Sequence, residues 1–285
     1  MASVKDIVVK PITAQAANAL IKRVHYSGKV VQNSQLHFGV FFNGKLEGVM
    51  QFGPSLDKRK IQGLVKDTGW NNFIELNRMA FSDRLPRNSE SRAIAVSFRL
   101  IKRHYPNIEW IISFADGAQC GDGTIYRASG FFLTGIKKNN SIWMAPNGES
   151  FAESSLRPGI GGSQAIKKAE TISRTTMTKG THLAGSNGKS SMERFKNAGW
   201  KPIEGYQLRY IYFLNPEARQ RLTVPILPFS KIDEMGAGMY KGKSKRPKLG
   251  DDCDQQHSGG ATPTRTLQSM QHPAENHSQS NQQRG

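Results

Sequence analysis

Acidic residues and cysteine are scarce in this sequence, and each shortage excludes something. Only 22 Asp and Glu stand against 40 Lys and Arg, so the formal net charge is +18 over 285 residues. An excess of that size on a short chain points to a polyanionic partner, nucleic acid first. The only cysteines, Cys120 and Cys253, lie in regions of different composition. They form neither a disulfide framework nor a zinc spacing, which fits a reducing, cytoplasmic compartment. No apolar run is long enough to span a membrane. Residues 1–23 lack the apolar core expected of a secretory signal. The length predicts one domain with additions, or two small ones.

Strand-like and helix-like segments alternate over residues 6–138. Asp6–Lys10 reads as a short strand. Thr13 can cap a following helix whose Ala17, Leu20, Ile21 and Val24 share one face. Strands at 36–42 and 45–53 flank Asn43-Gly44, the turn chemistry of a tight hairpin. Residues 54–72 read as a loop and 73–81 as the next strand. A helix over about 89–104 follows, capped by Asn88 or Ser89. Ile94, Phe98, Ile101 and Tyr105 form its buried stripe, and Arg92, Arg99, Lys102 and Arg103 its wet side. Residues 108–115 are nearly all apolar, as a strand buried on both faces should be. A short helix around 122–129 stops at Gly130, and strands follow at 131–138 and 141–146. This order predicts an α/β (α+β) fold, a mixed central sheet flanked by helices.

Composition divides the rest. Residues 1–150 make the core, and 151–195, rich in Ser, Thr, Gly and Lys, read as an insertion with weak helices. Residues 196–234 return to the core pattern, with a helix in 192–200 and a strand at 206–214. From 235 to 285 the chain is a polar tail with a basic run at 241–248, too poor in apolar residues to pack, and so disordered.

The chemistry concentrates in 108–132. Ligands gather at the carboxyl ends of strands in α/β sheets. Ser113 lies near such an end and Asp116 at it. Tyr126 follows on the short helix, where it is expected to face Asp116. Asp116 is either a reacting carboxylate or a loop cap, and Tyr126 either a proton donor or a tyrosine packed on the sheet. His37 and His104 read as surface or strand-edge histidines.

Residues 123–132, Gly-Thr-Ile-Tyr-Arg-Ala-Ser-Gly-Phe-Phe, resemble the Tyr-x-x-x-Gly-Phe segment of the GNAT acyltransferases, in which a tyrosine on this helix often protonates the leaving thiolate. The strand order fits the same GNAT-like fold. A fuller resemblance, to the phage Mom family, runs in order through 25–27, 36–53, 74–83, 87–95, 113–135 and 208–214. Those proteins modify adenine in DNA at N6 with a carbamoylmethyl group and so shield phage genomes from restriction. The resemblance implies a DNA adenine-modifying transferase in the cytoplasm of an infected bacterial host. Its partner would be double-stranded DNA with the adenine flipped out. Its site would hold His25, Tyr26, Arg78, Ser113, Asp116 and Tyr126.

Those side chains suit the reaction. Adenine N6 is a poor nucleophile, because its lone pair is delocalised into the ring. Asp116 can accept the N6 proton or orient the amino group. His25 can act as a base near neutral pH, or simply end its helix. Tyr126 can protonate a leaving group, and Arg78 can grip a phosphate or carboxylate with two bonds. Tyr26, Trp70 and Trp143 are candidates for stacking on an extruded base, Trp143 also for core packing. His25 and Asp116 can also ligate a metal, though no spacing motif marks a site.

One departure concerns the donor. Acetyltransferases of this fold cradle coenzyme A pyrophosphate on a glycine-rich turn before the long helix. Here that turn, 82–90, has no glycine and contains Pro86, which lacks an N–H. Arg84, Arg87, Asn88 and Ser89 can hold a phosphate there through side chains. The donor is thus open between acyl-CoA and aminoacyl-tRNA, and tRNA is a second candidate partner. Basic candidates for the nucleic-acid face are 57–60, Arg99, Lys102, Arg103, Lys137, Lys138, Lys167, Lys168 and 241–248. Two other readings remain: a GNAT-like N-acyltransferase acting on a small-molecule or protein amine, and a non-catalytic nucleic-acid-binding protein.

Overall fold

Local chemistry sets most element boundaries. Thr13 Oγ1 accepts from the Ala16 N–H at 3.3 Å and starts helix α1, Ala14–Val24. Asn43 and Gly44 take φ of 48° and 74°, the left-handed pair that joins strands β2, Leu36–Phe42, and β3, Lys45–Gly53. The computed structural model describes residues 3–25, 29–118, 121–156, 163–176, 192–240 and 243–244. The chain divides into Met1–Arg246 and Pro247–Gly285. The second unit, with most of the expected tail, lies outside the described residues.

Strand β1, Val8–Pro11, precedes α1, and Asp6 belongs instead to a capped 3-10 turn, Val4–Asp6. A short helix α2, Lys58–Gln62, interrupts the expected loop. Strand β4, Phe73–Phe81, leads to helix α3, Ser89–His104, then to strand β5, Trp110–Asp116, and helix α4, Thr124–Ala128. Gly130, at φ 79°, turns the chain into strand β6, Phe132–Lys138. Next come strands β7, Ile142–Met144, and β8, Ser150–Ala152, and helices α5, Glu153–Leu156, α6, Ser163–Thr176, and α7, Glu193–Asn197. Strands β9, Lys201–Ile203, and β10, Tyr206–Phe213, and helix α8, Ser230–Glu234, follow.

The central sheet has the order β1-β2-β3-β4-β5-β10-β6. Every pairing is antiparallel except β4 with β5. One face carries the main core, in which Ile94, Phe98 and Ile101 of α3 meet Met50, Phe52, Leu76, Ile111 and Tyr210. The other face carries α1 through Ala17, Leu20 and Ile21 on Val49 and Ala80, and a second cluster around Phe73, Trp110 and Ile112. The expected mixed sheet with flanking helices is therefore present.

Four local expectations need correction. Asn88 stands at the α3 cap position with φ 69°, but its side chain makes no capping bond. Ser89 is buried and donates to the Pro86 carbonyl at 2.6 Å. Tyr105 follows the last turn of α3 and is 44% exposed, so it leaves the buried stripe. Strand β7 joins a separate sheet, ordered β8-β7-β9. That sheet has its own core of Trp143, Phe151, Leu156, Ala169, Ile172, Phe195 and Trp200. The few apolar residues of this polar stretch are spread along the chain but meet in space, which composition alone hides.

Phe98 packs its ring against Phe131 at 5.7 Å and Tyr212 at 4.6 Å. Phe98→Ala is expected to cost about 3–5 kcal/mol, measured by urea unfolding.

Candidate active site at the parted strands

The parallel strands β4 and β5 pair only through Phe73–Glu75 and Trp110–Ile112. Beyond that point β4 stays with β3 and β5 with β10, so the two part toward their carboxyl ends. Ser113 sits where they separate. Its buried hydroxyl donates to the Leu76 carbonyl of β4 at 3.1 Å, which makes it a latch across the opening.

A bulge then decides which face Arg78 serves. Gln51 pairs with Arg78 and Phe52 with Leu76, leaving Asn77 as the extra residue. Strict alternation would put Arg78 with Leu76 in the α3-side core. The bulge turns it to the α1 face instead, alongside Gln51, which donates to Asn18 of α1 at 3.0 Å. Gln51 Nε2 also lies 3.3 Å from His37 Nδ1. His37 is thus buried on an interior strand, neither at the surface nor at a strand edge as expected, while His104 is exposed as expected.

His25 ends α1, its N–H bonded to the Ile21 carbonyl. Arg78 Nη1 approaches both His25 ring nitrogens, at 3.2 and 3.3 Å. A guanidinium only donates, so the imidazole must accept and be neutral. Burial first, and the Arg78 charge second, push His25 down from 6.5 to about 4. Both causes penalise the imidazolium, so His25 is a weaker base here than a free imidazole, and it also takes the helix-ending place that was the alternative. Tyr26 lies outside the described residues.

Asp116 and Tyr126 do not face each other. Trp110 and Ile112 pack on the α1 side and Ile111 and Ala115 on the α3 side, so alternation puts Asp116 on the α1 side. Tyr126 packs from α4 on the α3 side, its ring 5.2 Å from Phe131 and 5.3 Å from Tyr210. The sheet therefore stands between them except at the opening. Asp116 Oδ1 accepts from the Ala118 N–H, and Oδ2 from Asn139 Nδ2, each at 3.0 Å. These bonds fix the carboxylate.

On the turn before α3, Arg84 pairs with Glu47 at 3.2 Å and Ser89 is turned inward, while Arg87 and Asn88 are exposed. Trp70 lies at the amino end of β4 with Lys58 Nζ 4.5 Å from its ring. Five residues of strand, ~16 Å, separate Phe73 from Arg78, so Trp70 is remote from the opening. Trp143 is buried in the smaller core.

Two residues that the sequence reading passed over stand here. Glu75, the last β4 residue paired with β5, shares the α1 face, and burial pushes its carboxyl up despite nearby Ser55 and Asn77. Lys29 follows His25 by four residues, and burial, then Lys168, then Arg78 push its ammonium down. A carboxylate inside an apolar strand was the available signal for Glu75; nothing local marked Lys29. Among the described residues no group of three or more His, Cys, Asp or Glu could hold a metal ion. No described helix is long and apolar enough to cross a membrane.

The model of the Mom protein family matches residues 6–231, a stretch that contains every candidate catalytic residue above. The chain belongs to the Mom family. It is 34% identical over 223 residues to the methylcarbamoylase mom of Escherichia phage Mu, covering 78% of this chain and 81% of that protein. Among solved structures it is similar to an IAA acetyltransferase from Bacillus cereus, with 12% identity, a TM-score of 0.37, and 73% and 99% of the two chains covered. A GNAT family acetyltransferase from Elizabethkingia anophelis gives 11% identity, a TM-score of 0.34, and coverage of 73% and 98%.

Because the folded chain binds a proton at His25 less readily than the unfolded chain, this residue lowers stability as pH falls from 6.5 toward 4. Unfolding measured across that range should show a flatter acid limb in His25→Gln. Histidine NMR should find the His25 titration moved upward in Arg78→Ala.

Proposed function

We propose that this protein is a transferase that modifies adenine N6 in DNA with a carbamoylmethyl-type group and thereby protects that DNA from restriction. The observation that carries this reading is membership of the Mom family over a stretch that includes the whole opening between β4 and β5. The net charge of +18 agrees with a polyanionic substrate.

The two faces of the opening supply different chemistry. On the α1 face the flipped adenine presents its amino group to Asp116, already oriented by Ala118 and Asn139. The N6 lone pair forms a bond to the donor carbon while the bond from that carbon to the leaving group breaks; from a glycyl ester this gives –CO–CH2–NH2 on N6, an isomer of carbamoylmethyl, –CH2–CO–NH2, so a second step must move the N6 bond from the carbonyl carbon to the methylene carbon while the amino nitrogen moves the other way. The N6 proton passes to Asp116. From the α3 face the Tyr126 hydroxyl gives its proton to the departing group. Neutral His25 holds Arg78, whose guanidinium stays charged and can bind an oxyanion. Reaching N6 requires extruding the base from the duplex.

For the donor, the turn 82–90 favours aminoacyl-tRNA over acyl-CoA. It has no glycine, Arg84 is engaged by Glu47, and Ser89 is turned inward. Reconstitution with purified components tests this: modification with an acyl-CoA alone, in the absence of tRNA, would sink the tRNA reading.

The function itself is tested by expressing the chain in bacteria, digesting total DNA to nucleosides and analysing them by mass spectrometry. A new adenine species is expected. Tyr126→Phe and Asp116→Ala should each reduce it by about 10²-fold or more, the usual scale for losing a general acid or base. Unmodified DNA in cells that contain the folded protein would overturn the assignment.

A further inference from the structure

The amino end of β4 gathers two aromatic side chains and two cations that the opening does not use. A turn over residues 69–72, closed by the Asn72 N–H on the Gly69 carbonyl at 3.0 Å, carries Trp70 outward, 50% exposed. Lys58, at the start of α2, holds its ammonium 4.5 Å from the centroid of that ring and donates to Asn71 Oδ1 at 3.4 Å. Tyr105 arrives from the end of α3. Its N–H donates to the Ile101 carbonyl at 2.7 Å, and its carbonyl accepts from the Ile108 N–H at 2.9 Å. The backbone is pinned there, yet Tyr105 stays 44% exposed. The two loops are tied to each other. Asn72 Nδ2 donates to the Asn107 carbonyl at 2.7 Å, and Asn107 Nδ2 to the Asn71 carbonyl at 2.8 Å.

A cavity of about 220 Å³ lies here, lined by Lys58, Tyr105, Phe73, Gln35, Asn71 and Asn107 among others. Pockets for drug-sized ligands begin at roughly 300 Å³, so this one suits a single planar ring. A second cavity shares Asn107 and Ile108 with it and adds Lys102. Among the described residues neither Lys58 nor Lys102 stands in an ion pair, whereas Asp57 is engaged by Lys60 and Glu109 by Arg221. No described residue takes the Gln35 side-chain amide, which leaves a donor and an acceptor for the edge of a ligand.

Exposed rings beside cations without carboxylate partners match an unpaired nucleotide, which offers a base to stack and a phosphate to pair. Bases inside a duplex have both faces covered by their neighbours and cannot use the rings. We infer that the amino ends of β4 and β5 carry a second nucleic-acid site, in which Trp70 and Tyr105 stack unpaired bases of a single strand and Lys58 and Lys102 hold its phosphates. The site stands at the end of β4 away from Arg78, so it anchors a strand without taking the base that reacts. This requires a polynucleotide partner, as proposed above, but not the chemistry at the opening. An RNA that brings the donor and a DNA segment near the target offer the same bases and phosphates, and the test separates them.

Binding of the full chain is measured to a fluorescent single-stranded RNA, to single-stranded DNA of the same sequence and to the DNA duplex, at several salt concentrations. Trp70→Ala and Tyr105→Ala should each weaken binding of an unpaired strand about 5-fold or more, the usual scale for one stacked base. Trp70→Phe and Tyr105→Phe keep a ring and should retain most of the affinity. Lys58→Ala and Lys102→Ala should each reduce the salt slope for a single strand by about 0.7. Lys10→Ala removes a comparable cation, over Phe41 on the edge strand β1, and should change neither quantity. Thermal melting of every variant should match the parent. Loss confined to RNA assigns the strand to the donor, and loss that extends to single-stranded DNA assigns the site to unpaired strands of either kind. Unchanged binding of both single strands in the Trp70→Ala/Tyr105→Ala double variant would overturn the inference. So would equal weakening on the duplex, which would leave only a phosphate surface. Nucleoside analysis separates this inference from the functional reading. A protein that modifies DNA while its double variant binds single strands normally refutes the second site alone. A protein that binds strands through these residues but yields no new nucleoside refutes the transferase reading alone.

Discussion

The brief parallel contact between β4 and β5 is the constraint on which the rest depends. Three residue pairs join the strands, and then each follows its other neighbour. A continuous sheet would present two closed faces and no route between them. Here a gap opens at the carboxyl ends, flanked by Arg78 on one strand and Asp116 on the other. Ser113 bonds across its closed end. The apolar clusters on either side, around Phe98 and around Trp110, bury the flanking strands while leaving the opening itself polar.

That opening separates chemical roles by face. The α1 face gathers charge and hydrogen-bonding groups: His25 on Arg78, Gln51 on Asn18, Asp116 on Asn139, and Glu75 with its raised carboxyl. The α3 face brings Tyr126 on an aromatic bed of Phe131 and Tyr210. His25 fits this arrangement as an acceptor that positions the guanidinium. An imidazole that bound a proton near pH 7 would repel Arg78 and undo the contact.

Much of the framework was legible in the sequence. Asn43-Gly44 fixed the hairpin because few residue pairs tolerate positive φ, and the 3.6-residue period placed α1 and α3 nearly to the residue. The apolar run at the start of β5 marked a strand covered on both faces. The candidate site residues were legible as types, but their grouping was not. Asp116 and Tyr126 looked like partners because they are close in sequence, whereas strand alternation sends them to opposite faces. Tyr105 looked buried because it continues the period of α3, yet the helix ends before it.

What the sequence alone determined is the element order, the charge, and which side chains are chemically able to act, since these follow from local propensity and composition. Only the tertiary structure decided where those side chains point. The bulge at Asn77 inverts the facing of Arg78, a one-residue event invisible to a pattern that counts in twos. The pairing of β7 with β9, and the approach of Lys29 to β8, depend on contacts between residues more than fifty positions apart. Such contacts are fixed by how whole elements pack, because no short stretch of chain carries the geometry of its distant neighbours.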